Sequence, residues 1–350
     1  MAGSRSVVER YRTWSLEAPA HAQAIEMTTW PKPPGDDRIL VAAQFAGLCE
    51  TDYKIWQGIA ANPLVRYPIV LGHEWTGRVV KDPRGRVAPG QSVVIEGMTP
   101  CRRCRACNLG RSNWCETPEH SGVTYNGGFA PWSWVPRTAA HPVSPRDHPE
   151  AFVFVEPAAS VMRAVEAIQS GSPRTVLVLG LGSIGRLAVL LLQDLLYRVA
   201  ISTYDPIPQR HRWAGEHGAL PVDTVQAESA DRVIECSGTI EGFHLALQAV
   251  RPGGTVALEG VPPGEATATV RPALFHRKEI TVRGIYSSTM QSFQQSLDWV
   301  AQREQELAAL LDGPYAAEAL PQLMDRLARG QTRGKLYIAW DPTVWSRAAP

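Results

Sequence analysis

The sequence predicts an α/β protein in two parts: a β-rich domain with irregular loops, then a domain built on a doubly wound parallel sheet. Three observations predict this. Short β-type runs separated by turn signals fill the first 155 residues. Near Pro157 the texture changes to apolar strands alternating with helical stretches, the pattern of a parallel sheet with crossover connections. A G-x-G-x-x-G then closes the first of those strands and opens a helix.

In the first part, RILVAAQ (38–44), GRVVK (77–81) and QSVVIE (91–96) read as strands, with PPGDD and DPRG as turns. Cys101, Cys104, Cys107 and Cys115 follow in a C-x2-C-x2-C-x7-C run. A tetrahedral zinc needs four donors, and sulfurs this close in sequence can wrap it within one loop. Four thiolates and one zinc leave a charge of about −2. Arg102, Arg103, Arg105 and Arg111 stand where they could offset it. Disulfides or unrelated buried thiols are the competing reading, but cysteines this close make poor disulfide partners and the composition is not that of a disulfide scaffold.

In the second part, residues 158–170 read as a helix, TVLVLG (175–180) as a buried strand and SIGRLAVLLLQDLL (183–196) as a helix. RVAISTYD, DRVIECSG, TVALEG and EITVRGIY are further strands, with helices at 208–219, 240–250 and 290–310. A helix at 319–329 and a strand KLYIAW at 335–340 close the chain and are expected to rejoin the first domain. The expected division is 1–156, 157–290 and a returning segment 291–350.

The glycine turn comprises Gly180, Gly182, Ser183, Ile184 and Gly185. Its first glycine makes the tight turn, the second lets backbone approach a pyrophosphate, and the third lets helix and strand pack closely. The helix N-terminus offers free N–H groups to the phosphates. Asp205 ends the second strand, where a carboxylate binds both ribose hydroxyls of NAD and repels the extra phosphate of NADP. Arg210 is the nearby cation that argues the other way, or covers the adenine.

Composition narrows the function. The chain has 350 residues, 44% hydrophobic and 20% charged, with a net charge of +1, so no nucleic-acid or anionic-membrane partner is expected. MAGSRSVVERYRTW has no apolar core of signal-peptide length, and no stretch is long enough to span a bilayer. Six cysteines, four of them in one cluster, suit a reducing cytoplasm.

Taken in order, C-x-T-D (49–52), GHE-x-x-G (72–77), the four cysteines, NGGFA (126–130), EP (156–157), GLGSIG (180–185) and Asp205 resemble the zinc-dependent medium-chain alcohol and polyol dehydrogenases. That resemblance implies a GroES-like catalytic domain, a Rossmann domain and a cleft between them. It implies a homo-oligomer, dimer or tetramer, with two zinc ions per chain, one catalytic and one structural. Cys49, His73 and Glu156 become the catalytic zinc ligands, and Glu74 a neighbouring carboxylate that enters or leaves the metal shell. A thiolate, a neutral imidazole and a carboxylate leave a fourth position for a small-molecule alcohol or ketone. Each residue taken alone also has a structural reading: His73 as a satisfied histidine, Cys49 as a small hydrophobe, Glu156 as a helix-start carboxylate.

The implied reaction is hydride transfer between a secondary alcohol and NAD(H), with Thr51 accepting the alcohol proton. Many relatives carry His five residues after the cysteine ligand; here it is Lys54. Tyr53, Trp56 and Trp114 either line a pocket or belong to the core. GHEWTG and TRGKLYI are similar to enzymes of polyols, sugars and aminocyclitols, including the 2-deoxy-scyllo-inosamine dehydrogenases. The alternatives are an NADPH-dependent ketone or aldehyde reductase, and a non-catalytic zinc- and nucleotide-binding protein.

Overall fold

The computed structural model describes residues 10–27, 35, 37–59, 63–196, 198–262 and 266–341. Residues 1–9, which carry most of the expectation about a leader, and part of the PPGDD turn lie outside them. The chain forms two compact units, 1–156 with 299–350, and 157–298.

The first unit is organised by Arg38–Gly47, a ten-residue strand buried along most of its length. It pairs antiparallel with Glu74–Lys81, Trp132–Pro136 and Lys335–Ala339. Strands Ser92–Ile95 and Ala140–Pro142 extend the sheet on one side, and Leu311–Tyr315 on the other. Two-sided burial explains why RILVAAQFAG reads as a continuous apolar run rather than an alternating one. Ile39, Val41, Trp75, Ile95, Phe129 and Leu336 are among the residues of its core. Breaks in register between Leu40 and Val41 and between Ala43 and Phe45 bend the strand against Glu74–Lys81.

The second unit is a six-stranded parallel sheet. Its order is Leu220–Pro221, Ala200–Tyr204, Thr175–Leu179, Ala230–Glu235, Val250–Leu258, Thr281–Gly284. In chain order this is 3-2-1-4-5-6, the Rossmann arrangement, whose direction reverses between Thr175–Leu179 and Ala230–Glu235. Helices Ser183–Leu195, Pro208–Glu216 and Ile240–Ala249 connect successive strands. Each starts on a sequence signal: a glycine turn, Pro208 in the first turn, and Thr239, whose side chain accepts from Gly242 N at 2.9 Å.

Candidate active site and metal centres

Two groups of metal-donor side chains form in the first unit. In the lobe, one donor atom each from Cys101, Cys104, Cys107 and Cys115 lie within 4.8 Å of one another. Cys104 precedes the one-turn helix Arg105–Asn108, and Ser112–Trp114 forms a 3-10 turn before Cys115. All six cysteines are free thiols, which removes the disulfide reading. Backbone N–H groups, led by Arg103, pull the Cys101 thiol down to about 6; burial pushes Cys107 up to about 12. Two of the four arginine side chains have other partners. Arg102 donates to the Thr138 carbonyl at 3.2 Å, and Arg111 lies over Trp114 at 5.1 Å. Peptide N–H groups also direct positive ends at the Cys101 and Cys104 sulfurs.

The second group is Cys49, His73 and Glu74, whose donor atoms also lie within 4.8 Å. Cys49 caps the helix Glu50–Trp56, and Glu74 starts the strand Glu74–Lys81. Between them stands Asp52, 1% exposed. Its carboxylate accepts from Cys49 N at 3.0 Å and Gly72 N at 3.2 Å, and meets His73 Nδ1 at 3.1 Å. A carboxylate on Nδ1 fixes the tautomer and leaves Nε2 for a cation. Burial works against a charge on His73, but Asp52 and Cys49 outweigh it and its pKa rises well above the ordinary value.

Glu74 and Lys335 form a buried ion pair: Nζ donates to Oε1 at 2.6 Å and also meets Oε2. A Cβ on Gly47 would lie 2.6 Å from Glu74 Oε2 and 3.0 Å from Lys335 Cε, so only glycine leaves room for the pair. Burial opposes the Lys335 charge, but Glu74 and Cys49 outweigh it and its pKa is raised.

Glu156 feels the same cluster without joining the close donor group. Burial, opposed by His73 and reinforced by Glu74, pushes its carboxyl up to about 7. The donor set fits zinc. Lys335 cancels Glu74, so the Cys49 thiolate and the Glu156 carboxylate balance a divalent cation. A cation bound there would lower the raised values at His73 and Glu156 and release protons on binding.

Thr51 is exposed in the first turn of its helix, and Lys54 pairs with Glu50 at 3.6 Å. Tyr53 and Trp56 pack on the core, while Trp114 is 56% exposed. Asp52 and Lys335 had no role in the sequence reading. The signal for Asp52 was its place in C-x-T-D, three residues after Cys49. For Lys335 it was a charge opening an apolar strand.

In the second unit, Gly180 adopts φ +87° at the end of its strand, and a Cβ on Gly185 would collide with the Gly180 carbonyl oxygen. Asp205, 2% exposed, accepts from Leu181 N at 2.7 Å, Ile207 N at 2.9 Å and Arg210 Nη1 at 2.8 Å. It ties the glycine turn to the second strand's end. Arg186 lies over Trp213 at 5.2 Å, and burial followed by the Arg210 charge lowers its pKa.

The model of the alcohol dehydrogenase GroES-like domain matches residues 35–145, and that of the zinc-binding dehydrogenase matches 184–302. The L-galactonate-5-dehydrogenase of Escherichia coli (strain K12) is 30% identical over 275 residues, covering 74% of this chain and 79% of its own. The chain belongs to the zinc-dependent medium-chain dehydrogenase/reductase family. It is thus an oxidoreductase of the zinc-binding alcohol dehydrogenase type, with a GroES-like and a Rossmann domain. The L-threonine 3-dehydrogenase of Edwardsiella ictaluri is 27% identical over 91% of this chain and 97% of its own. A solved structure from Sinorhizobium meliloti 1021, described as a zinc-binding dehydrogenase bound to NADP, superposes with TM-score 0.85 at 26% identity, over 95% of this chain and all of the other. Among the described residues no helix is long and apolar enough to cross a membrane.

Proposed function

We propose that this member of the medium-chain dehydrogenases moves a hydride between a secondary alcohol of polyol, sugar or aminocyclitol type and NAD. The observation that carries the proposal is the convergence of the Cys49, His73 and Glu74 donor atoms, with the Asp52 carboxylate holding the His73 ring. Cys49 and His73 would hold the catalytic zinc, with Glu74 and Glu156 as the carboxylates available to it; the four cysteines would hold a structural one. Zinc bound there would supply Lewis acidity to a carbinol oxygen, and a bound nicotinamide would supply the hydride acceptor. Asp52 keeps the His73 ring in one tautomer and orientation. Lys335 pairs with Glu74 and offsets its charge beside the candidate ligands. Thr51, exposed two residues after Cys49, would take the alcohol's proton on its hydroxyl oxygen as its own hydroxyl proton leaves to solvent or to a cofactor ribose hydroxyl. Gly180 to Gly185 would carry the pyrophosphate, and Asp205 would accept from the adenosine ribose.

A second reading for the cofactor has its own observation. Arg186 and Arg210 both act on Asp205 electrostatically, and two cations beside one carboxylate also suit a 2′-phosphate. The Sinorhizobium relative carries NADP.

The test is a panel of cyclitols, sugars and simple secondary alcohols with NAD+ and NADP+, followed by reduced-nicotinamide absorbance. The reading expects zinc-dependent turnover with cyclic or linear polyols and a higher kcat/KM with NAD+. Turnover with NADP+ alone would move the protein to the reductase reading. Zinc and NAD binding without hydride transfer to any partner would make it a non-catalytic relative.

A further inference from the structure

His120 closes the short strand Glu119–His120 opposite Met98. Its backbone is fully engaged. Its N–H donates to Thr124 Oγ1 at 2.8 Å, and its carbonyl accepts from Thr124 N at 2.8 Å and Val123 N at 3.2 Å. The ring is therefore carried on a rigid turn. Its Nε2 is buried and has no hydrogen-bond partner among the described residues. Buried polar atoms are nearly always paired, so an orphan held on a rigid turn asks what completes it.

The surroundings answer in part. The next residue, Ser121, donates from its N–H to the Gly97 carbonyl at 2.9 Å and from its hydroxyl to the Gly72 carbonyl at 3.1 Å. Gly72 directly precedes His73 and is itself bonded to Asp52. Gly97 packs so closely that a Cβ there would lie 2.9 Å from the His73 carbonyl oxygen and 3.1 Å from Glu156 Cγ. The turn bearing His120 is thus pinned at two points to backbone that frames the candidate zinc ligands. Burial, with the nearby His73 adding to it, lowers the His120 pKa to about 4. The ring is neutral at working pH, with one nitrogen that donates and one that accepts. The proton and hydride chemistry above leaves it unused.

A neutral imidazole in a site whose charges already balance suits a hydroxyl better than a carboxylate. We propose that His120 is a specificity-determining residue whose Nε2 hydrogen-bonds a second hydroxyl of the substrate, so that the site selects polyols over mono-alcohols. This deepens the alcohol dehydrogenase reading and rests on it.

The experiment compares zinc-loaded wild type, His120→Leu and His120→Gln on myo-inositol, sorbitol and cyclohexanol. It reads the polyol-to-cyclohexanol ratio of kcat/KM and, by calorimetry, the binding of the same compounds to the zinc- and nucleotide-loaded protein. The expected result is a wild type favouring at least one polyol. The ratio should fall roughly tenfold or more in His120→Leu, the usual scale for one substrate hydrogen bond, and be largely restored in His120→Gln. Gln keeps a donor and an acceptor, so rescue separates hydrogen bonding from loss of packing. A ratio unchanged in His120→Leu, or a wild type preferring cyclohexanol, overturns the proposal while the dehydrogenase reading stands. Absence of hydride transfer with all three compounds and the wider panel sinks the dehydrogenase reading. Calorimetry then still decides for His120: polyol binding that is absent or no weaker in His120→Leu overturns its role.

Discussion

The four-cysteine lobe takes all its donors from residues 101–115, whereas the second centre draws Cys49, His73 and Glu74 from two separate stretches of chain. The lobe has little core of its own: only Cys107, Ser112 and Asn113 are buried within it, and Leu109 and Trp114 are largely exposed. A cluster of that kind depends on its metal to hold its shape. The second centre is the reverse. Arg38–Gly47, Glu74–Lys81 and Lys335–Ala339 bring Gly47, Glu74 and Lys335 together through sheet pairing, and a large apolar core packs around that sheet. On the proposed reading, one region would be built by its metal and the other would be built to receive it. Stability and activity should therefore part when each is damaged.

The largest effect is expected within the second centre. Thr51→Ala should lower turnover by roughly a hundredfold or more with zinc content unchanged, while Thr51→Ser retains most of it. Stopped-flow hydride transfer and metal analysis check this, and wild-type turnover in Thr51→Ala would remove Thr51 from the proton path. Next, Cys107→Ser should release the lobe's metal and lower the midpoint of thermal unfolding, with activity per folded molecule falling much less. Equal loss of both would erase the distinction between the regions.

Lys335→Met leaves the Glu74 carboxylate buried without its cation, which should cost about 3 kcal/mol in the zinc-free protein. Adding Glu74→Gln should recover part of that. With cobalt(II) in place of zinc, the visible spectrum of Lys335→Met should shift as the freed Glu74 approaches the metal. An unchanged spectrum would mean that Lys335 supports the fold alone.

Asp82 supplies a control that touches neither metal region. It is buried against Arg137, which donates from Nε at 3.4 Å and pairs again through Nη2. Arg137, more than the N–H groups of Arg84, Arg86 and Val87, holds the Asp82 carboxyl well below the usual carboxylate range. A depressed folded-state value stabilises the fold above the unfolded pKa of about 4 and loses that contribution as pH falls below it. Asp82→Asn should cost about 3 kcal/mol at neutral pH and less as the pH drops, in denaturant titrations, with zinc content unchanged.

How much was legible in the sequence follows the same division. The parallel sheet was readable because each strand is a local apolar run bounded by turn signals; TVLVLG and the Thr175–Leu179 strand agree nearly residue for residue. The four cysteines were readable because their spacing is itself the geometry. The hairpin of Tyr11–Ala18 and His21–Met27 was missed, since its second strand is mostly exposed and lacks an apolar run. In the second centre, the C-x-T-D and GHE contexts pointed to Cys49 and His73, but not to the partners of Asp52 or Glu74. Lys335 lies 261 positions from Glu74, and only the antiparallel pairing of Lys335–Ala339 with Arg38–Gly47 brings it in. The single space that Gly47 leaves for the ion pair is likewise a property of packing, invisible in the local pattern.

The most direct measurement is zinc content per chain in His73→Ala, taken beside hydride transfer on the same sample. About one zinc per chain against about two in wild type, with transfer lost and the thermal midpoint little changed, is the expected result. About two zinc ions per chain, or wild-type transfer, would contradict the assignment of Cys49, His73 and their carboxylates as the reactive centre.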